Sequence, residues 1–155
     1  MHHVHIDALL RLTHAALGGM MARAKGGIIN VSSVAAFVRS SGSVSYCATK
    51  SWINVFTEGL YLELRRARSP VTVQALCPGF TYTEFHEVAG VDRATIPKSL
   101  WLTADSVVDA SLAGLDRGKL FVVPNWKYKL VVAVVSKLPA GLRVAFEAWS
   151  PHRRG

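Results

Sequence analysis

The chain has 155 residues, half of them apolar, and a formal charge of +8 at pH 7, which suits a globular domain, or a piece of one, with enough apolar content to fill a core. Its two cysteines, Cys47 and Cys77, lack metal-ligand spacing, so no disulfide or zinc framework is expected and a reducing, cytoplasmic setting is the default. The opening residues, with His2, His3, His5 and Asp7, do not form a signal peptide, and the longest apolar run, Leu130 to Val135, is far below the roughly 18 residues that cross a bilayer.

In chain order, Leu9, Leu10, Leu12, Ala16, Leu17 and Met20 recur at three- and four-residue steps and predict an amphipathic helix over His5 to Arg23. Gly26-Gly27 ends it, and Ile28 to Val31 reads as a short buried strand closed by Ser32-Ser33. Residues 34–45 read as a loop feeding a second helix, Tyr46 to Ala67. After Ser69-Pro70 comes a strand from Val71 to Leu76, stopped by Cys77-Pro78-Gly79. Residues 81–103 look irregular, broken by Gly90 and Pro97. A third helix is expected from Ala104 to Leu115 with Thr103 as N-cap, then a third strand from Lys119 to Val123 ended by Pro124. Alternating helices and strands are the pattern of a parallel sheet with crossover helices, so the fold class is α/β. From Trp126 to Trp149 the chain is both apolar and basic, split into two helical pieces at Pro139-Ala140-Gly141.

The stretch Ser43-Val-Ser-Tyr46-Cys-Ala-Thr-Lys50 places a tyrosine and a lysine four apart, on one face of a helix. A neighbouring ammonium favours the phenolate, which is how a phenol near pKa 10 becomes useful for proton transfer. The same spacing also fits two amphipathic side chains on a helix surface. Its company decides: Ser33 closes the first strand and Pro78-Gly79 closes the second, both at the carboxyl edge of the sheet where open α/β folds bind ligands.

Gly27-Ile-Ile-Asn-Val-Ser-Ser33, Tyr46-Cys-Ala-Thr-Lys50 and Pro78-Gly-Phe-Thr-Tyr-Thr83 together resemble the short-chain dehydrogenases/reductases over roughly residues 5–125. The resemblance implies the C-terminal half of a Rossmann-type doubly wound sheet and an NAD- or NADP-dependent interconversion of an alcohol and a carbonyl. It implies that Ser33 polarises the substrate oxygen, that Tyr46 transfers the proton, and that Lys50 lowers the tyrosine pKa and binds the nicotinamide ribose. It also implies that Pro78 and Gly79 pack against the nicotinamide while Thr81 and Thr83 hold the carboxamide or a nearby phosphate. The division of labour is chemically coherent, since hydride transfer to a carbonyl builds negative charge on oxygen that a hydroxyl and a proton donor neutralise. No metal site is expected.

Two departures stand out. His5 falls where the family carries an asparagine that anchors a water of the proton relay; either it serves that water through a ring nitrogen or it is displaced by an altered chain start. The family's glycine-rich pyrophosphate turn, and the residues that separate NAD from NADP, have no counterpart in the sequence. The expectation is a chain shortened at its N-terminus, by gene decay or a misplaced start codon, whose first strand offers an unprotected apolar edge.

Glu84 to Thr103 occupies the family's substrate loop. Phe85, His86, Val88, Ile96, Leu100 and Trp101 suggest either an apolar pocket wall for a lipophilic alcohol or ketone, or core. Leu60, Leu64 and Ala67 lie on one stripe of the second helix and suit either a dimer interface, making a full-length form a homo-oligomer, or core. The charge is uneven: residues 1–116 carry ten Lys/Arg against nine Asp/Glu, and residues 117–155 carry eight against Glu147 alone. With Trp126, Tyr128, Phe146 and Trp149, this basic extension, 126–155, suits either contact with an anionic membrane surface or a helix covering the substrate site. No nucleic-acid module is recognisable. The main reading is an oxidoreductase on a small-molecule substrate; its rival is a non-catalytic remnant acting as an interaction or membrane-surface module.

Overall fold

The structure, a computed structural model, describes residues 1–38, 40–85 and 93–149, with 95 and 146–149 as backbone alone. Helix α1 (Leu9–Ala22) continues from a wider π-helical coil, His3–Ala8. Strand β1 (Gly27–Val31) and helix α2 (Val44–Arg66) follow, then β2 (Thr72–Leu76), α3 (Ala104–Asp116) and β3 (Phe121–Val122). Helices α4 (Trp126–Val135) and α5 (Ala140–Trp149) close the chain. Among the described residues the sheet is parallel, in the order β1-β2-β3, with Gly27 opposite Thr72 and Leu76 opposite Val122.

The two-residue period of β2 sorts the helices onto opposite faces of the sheet. Val73 packs with Leu60 and Leu64 of α2 and with Val71. Leu76, on the other face, joins Val107 of α3, Val122, Leu102 and Tyr128. On that second face Gln74, wholly buried, answers its own polarity: its Nε2 donates to the Ser111 carbonyl at 3.1 Å and its Oε1 accepts from the Ser111 hydroxyl at 2.7 Å. Gly114 makes this close approach possible, because a Cβ there would stand 2.3 Å from Val122. Leu60 and Leu64 are therefore core residues, and Ala67, just past α2, is exposed.

Several element boundaries differ from expectation for identifiable reasons. The third strand is not Lys119 to Val123 but two residues, because the Lys119 amide is already used on the Gly114 carbonyl in the turn that Gly118, at φ +62°, allows. The first helix begins at His3 rather than His5, and α2 begins at Val44, since the Cys47 amide already donates to the Ser43 carbonyl. Val71 precedes β2 because its amide donates to the Ser69 hydroxyl. Residues 34–45 include a 3₁₀ turn, Val34–Ala36. Thr103 does cap α3, accepting from the Ser106 amide at 3.2 Å.

Among the described residues β1 pairs with β2 alone, and Val31 at its end is exposed. No helix among them is long and apolar enough to cross a membrane, and no three His, Cys, Asp or Glu side chains gather as metal ligands.

Candidate active site

The carboxyl ends of β1 and β2 bring the Ser33 and Pro78-Gly79 motifs together. The Val34 amide donates to the Pro78 carbonyl at 3.0 Å, which ties the Ser33 turn to the Pro78-Gly79 turn. Ser33 caps the 3₁₀ turn, its hydroxyl accepting from the Ala35 amide at 3.1 Å, and its side chain stands close enough to the Tyr46 phenol to pull that group's pKa down. The end of β1 grips α2 through side chains as well: Asn30 Nδ2 donates to Thr57 Oγ1 at 3.0 Å and the Ser32 hydroxyl to the Lys50 carbonyl at 3.0 Å. These bonds fix the N-terminal half of α2, and so Tyr46, over the strand end.

Lys50 is buried, with its Nζ donating to the Val31 carbonyl at 3.0 Å and lying 5.7 Å from the centre of the Tyr46 ring. Burial lowers its pKa, partly offset by Cys77. The Tyr46 phenol is pushed up by burial, opposed by the nearby Ser33 side chain, with Cys47 adding to the rise. The expected lowering of Tyr46 by Lys50 is thus absent in this arrangement: the ammonium is turned to the Val31 carbonyl, and desolvation of the phenol dominates. Cys77, buried at the end of β2, is pushed up to about 12 by the same effect.

His5 is at the site rather than displaced from it. Its Nδ1 lies 2.9 Å from Thr49 Oγ1, and its ring meets Tyr46 edge-on at 6.0 Å. The Thr49 hydroxyl donates to the Tyr46 carbonyl at 2.9 Å. With that hydrogen engaged, Nδ1 of neutral His5 is the donor to Thr49 and Nε2 keeps a free lone pair. Burial, then the charges of Lys50, the N-terminus and His2, lower the His5 pKa.

Thr81 and Thr83 are not equivalent. Thr81 is buried, its hydroxyl donating to the Gly79 carbonyl at 3.1 Å and its backbone bridging to Leu102, so it braces the turn. Thr83 is exposed, and its carbonyl accepts from Arg93 at 2.8 Å. Of the apolar loop residues, Ile96 and Trp101 are buried, Trp101 stacking on Tyr82 at 4.8 Å. Phe85 reaches the site, its ring 6.0 Å from that of Tyr46. His86 and Val88 lie outside the described residues.

Three contributors were not foreseen: Thr49, Ser32 and Tyr128. Thr49 had a signal, since a hydroxyl three residues after Tyr46 faces the same side of the helix and can bond back to its carbonyl. Tyr128 had none. Its ring lies on Gly79, and its hydroxyl donates to the Leu100 carbonyl at 2.7 Å while accepting from the Phe80 amide at 3.1 Å. The start of the basic extension is thereby packed against the Pro78-Gly79 turn.

The family model for the short chain dehydrogenases matches residues 1–93. The chain is 33% identical over 91 residues to a 3-oxoacyl-[acyl-carrier-protein] reductase, FabG, of Vibrio cholerae, a match covering 59% of this chain and 36% of that protein. It is 41% identical over 92 residues to an uncharacterized oxidoreductase, YgfF, of Escherichia coli, covering 55% of this chain and 36% of the other. Among solved structures, a short-chain dehydrogenase from Sphingobium yanoikuyae in complex with NADPH superposes with a TM-score of 0.72 at 30% identity, over 97% of this chain and 56% of that one. The chain thus matches about a third of these curated relatives' length, at 36%, and about half of the solved structure's, at 56%. With the family match over residues 1–93 and the parallel sheet that carries it, the chain belongs to the short-chain dehydrogenases.

Proposed function

We propose that the protein is an NAD(P)-dependent oxidoreductase interconverting a lipophilic alcohol and its ketone or aldehyde, with Ser33, Tyr46 and Lys50 as the catalytic set. The observation that carries this reading is the convergence of the three side chains at the carboxyl ends of the strands, with the Ser33 side chain close to the Tyr46 phenol and Lys50 beside its ring.

The residues fit the nicotinamide end of NAD or NADP. Lys50 keeps N–H donors beyond the one given to Val31, and Pro78 and Gly79 form a turn braced by Thr81 and Tyr128, with Thr83 exposed beside it. The bound nicotinamide supplies the hydride. In the direction of reduction, burial keeps the Tyr46 phenol protonated at neutral pH, so it arrives as a proton donor. The Ser33 hydroxyl donates to the oxygen on which negative charge builds, and the N–H donors that Lys50 does not give to Val31 would hold the nicotinamide ribose. Phe85, exposed and next to Tyr46, supplies apolar surface for a lipophilic substrate. The buried free thiols Cys47 and Cys77 suit a cytoplasmic setting, and a full-length form is read as a homo-oligomer.

The test is turnover of lipophilic ketones with NADPH and NADH, wild type against Tyr46→Phe. Loss of one proton donor is expected to lower kcat by at least about 10²-fold. Equal turnover by the two proteins would remove Tyr46 from the mechanism.

A further inference from the structure

The apolar residues of α4 divide into two faces. Tyr128, Val132 and Val135, at steps of four and three, are its buried or half-buried face toward the domain. At about 100° per residue, Trp126, Leu130 and Val134 form a stripe on the opposite side, and they are 67%, 58% and 51% exposed. Lys127 and Lys129 stand on either side of that stripe. Lys137 follows it, and α5 adds exposed Leu142 and Val144 beside Arg143. Lys127 Nζ donates to the Ser99 carbonyl at 3.1 Å, which leaves its charge in place.

We infer that the Trp126/Leu130/Val134 face of α4, with its flanking lysines, is a docking surface for an anionic lipid bilayer. The argument is charge complementarity. Residues 117–155 hold eight Lys/Arg and a single acid, Glu147, and an apolar stripe between cations is the pattern that lies in a headgroup layer. A second copy of the chain fits worse, because a two-fold interface sets the patch against itself and brings like charges together. A further strand pairs with a sheet edge through its backbone, and β1 and β3 are the edges here, whereas this face is the side-chain stripe of a helix.

The surface does not depend on catalysis, so Tyr46→Phe is expected to bind lipid as wild type does, which separates this inference from the oxidoreductase reading. The experiment is flotation of the full chain with vesicles of phosphatidylcholine alone and of phosphatidylcholine with phosphatidylserine; flotation keeps bound protein apart from any aggregate. The expected result is binding to the phosphatidylserine vesicles only, weakened as salt shrinks the screening length from about 10 Å at 0.1 M toward about 3 Å at 1 M. The double variant Leu130→Ser/Val134→Ser, at exposed positions, is expected to keep the wild-type circular dichroism and to bind about tenfold or more weakly. No binding to the anionic vesicles overturns the inference, as does equal binding by the double variant. A lipid-free dimer that the double variant dissolves also overturns it, since the face then belongs to a second copy.

Discussion

The ring of Tyr128 lies so close over Gly79 that a Cβ on the glycine would stand 2.1 Å from the ring's Cζ. The two residues come from opposite ends of the candidate site: Gly79 from the turn after β2, Tyr128 from the first turn of α4. The tyrosine hydroxyl then closes the contact by bridging the Leu100 carbonyl and the Phe80 amide. Glycine is required here for space, as φ is not in the left-handed region.

Gly79→Ala is therefore expected to destabilise the protein by about 1–3 kcal/mol, the usual cost of forcing atoms into a packed site. Tyr128→Phe keeps the ring but removes the hydroxyl that bonds both the Phe80 amide and the Leu100 carbonyl, at a cost of about 1 kcal/mol for each half-buried bond. The pair must be non-additive: Gly79→Ala in a Tyr128→Ala background meets no ring and adds little to the loss already incurred. Thermal denaturation of the two single variants and the double variant checks this. Additive losses would mean the ring is not what excludes a side chain at position 79.

Most of the candidate site was legible in the sequence because its geometry is local. Tyr46 and Lys50 meet through helix periodicity, and Ser33 and Pro78 are placed by where short β-branched strands end. What was not legible depends on contacts between distant segments. His5 meets Thr49 and Tyr128 meets Phe80 across 44 and 48 residues, and no local pattern specifies either. Leu60 and Leu64 read equally as interface or core until the α2 side of the sheet was seen to close over them. The short β3 was hidden for another reason: its apolar residues fit a longer strand, but the backbone amide of Lys119 was already committed to the helix end.

Cys77 gives the site an alkaline limit. Its thiol is held near 12 against an ordinary value of 9.0, so the folded protein keeps a proton that the unfolded chain releases. The sign follows from linkage: this contribution to stability is complete below about pH 9 and is lost as pH rises toward about 12. Tyr46, also raised, acts in the same sense, while Lys50, lowered, opposes it. Melting temperatures across this range are expected to fall less steeply for Cys77→Ala than for wild type. Parallel curves would show that another group sets the alkaline limit.

His5 sets the corresponding acid limit. Burial and the neighbouring charges of Lys50, the N-terminus and His2 lower its pKa below 6.5, so the folded protein resists a proton that the unfolded chain accepts. Its contribution to stability is complete above about pH 6.5 and is lost as pH falls through the lowered value. Protonation would also remove the Nε2 lone pair and set a second charge near Lys50. His5→Asn keeps an N–H donor for Thr49 and an acceptor oxygen, without the titration. The melting temperature of this variant is expected to change less between pH 7.5 and 5.5 than that of wild type, and its turnover at pH 7.5 to be preserved. His5→Ala, which removes the donor to Thr49, is expected to lower turnover, and recovery in the asparagine variant separates a hydrogen-bonding role from a steric one. Equal turnover in all three proteins would leave His5 as packing against the Tyr46 ring and nothing more.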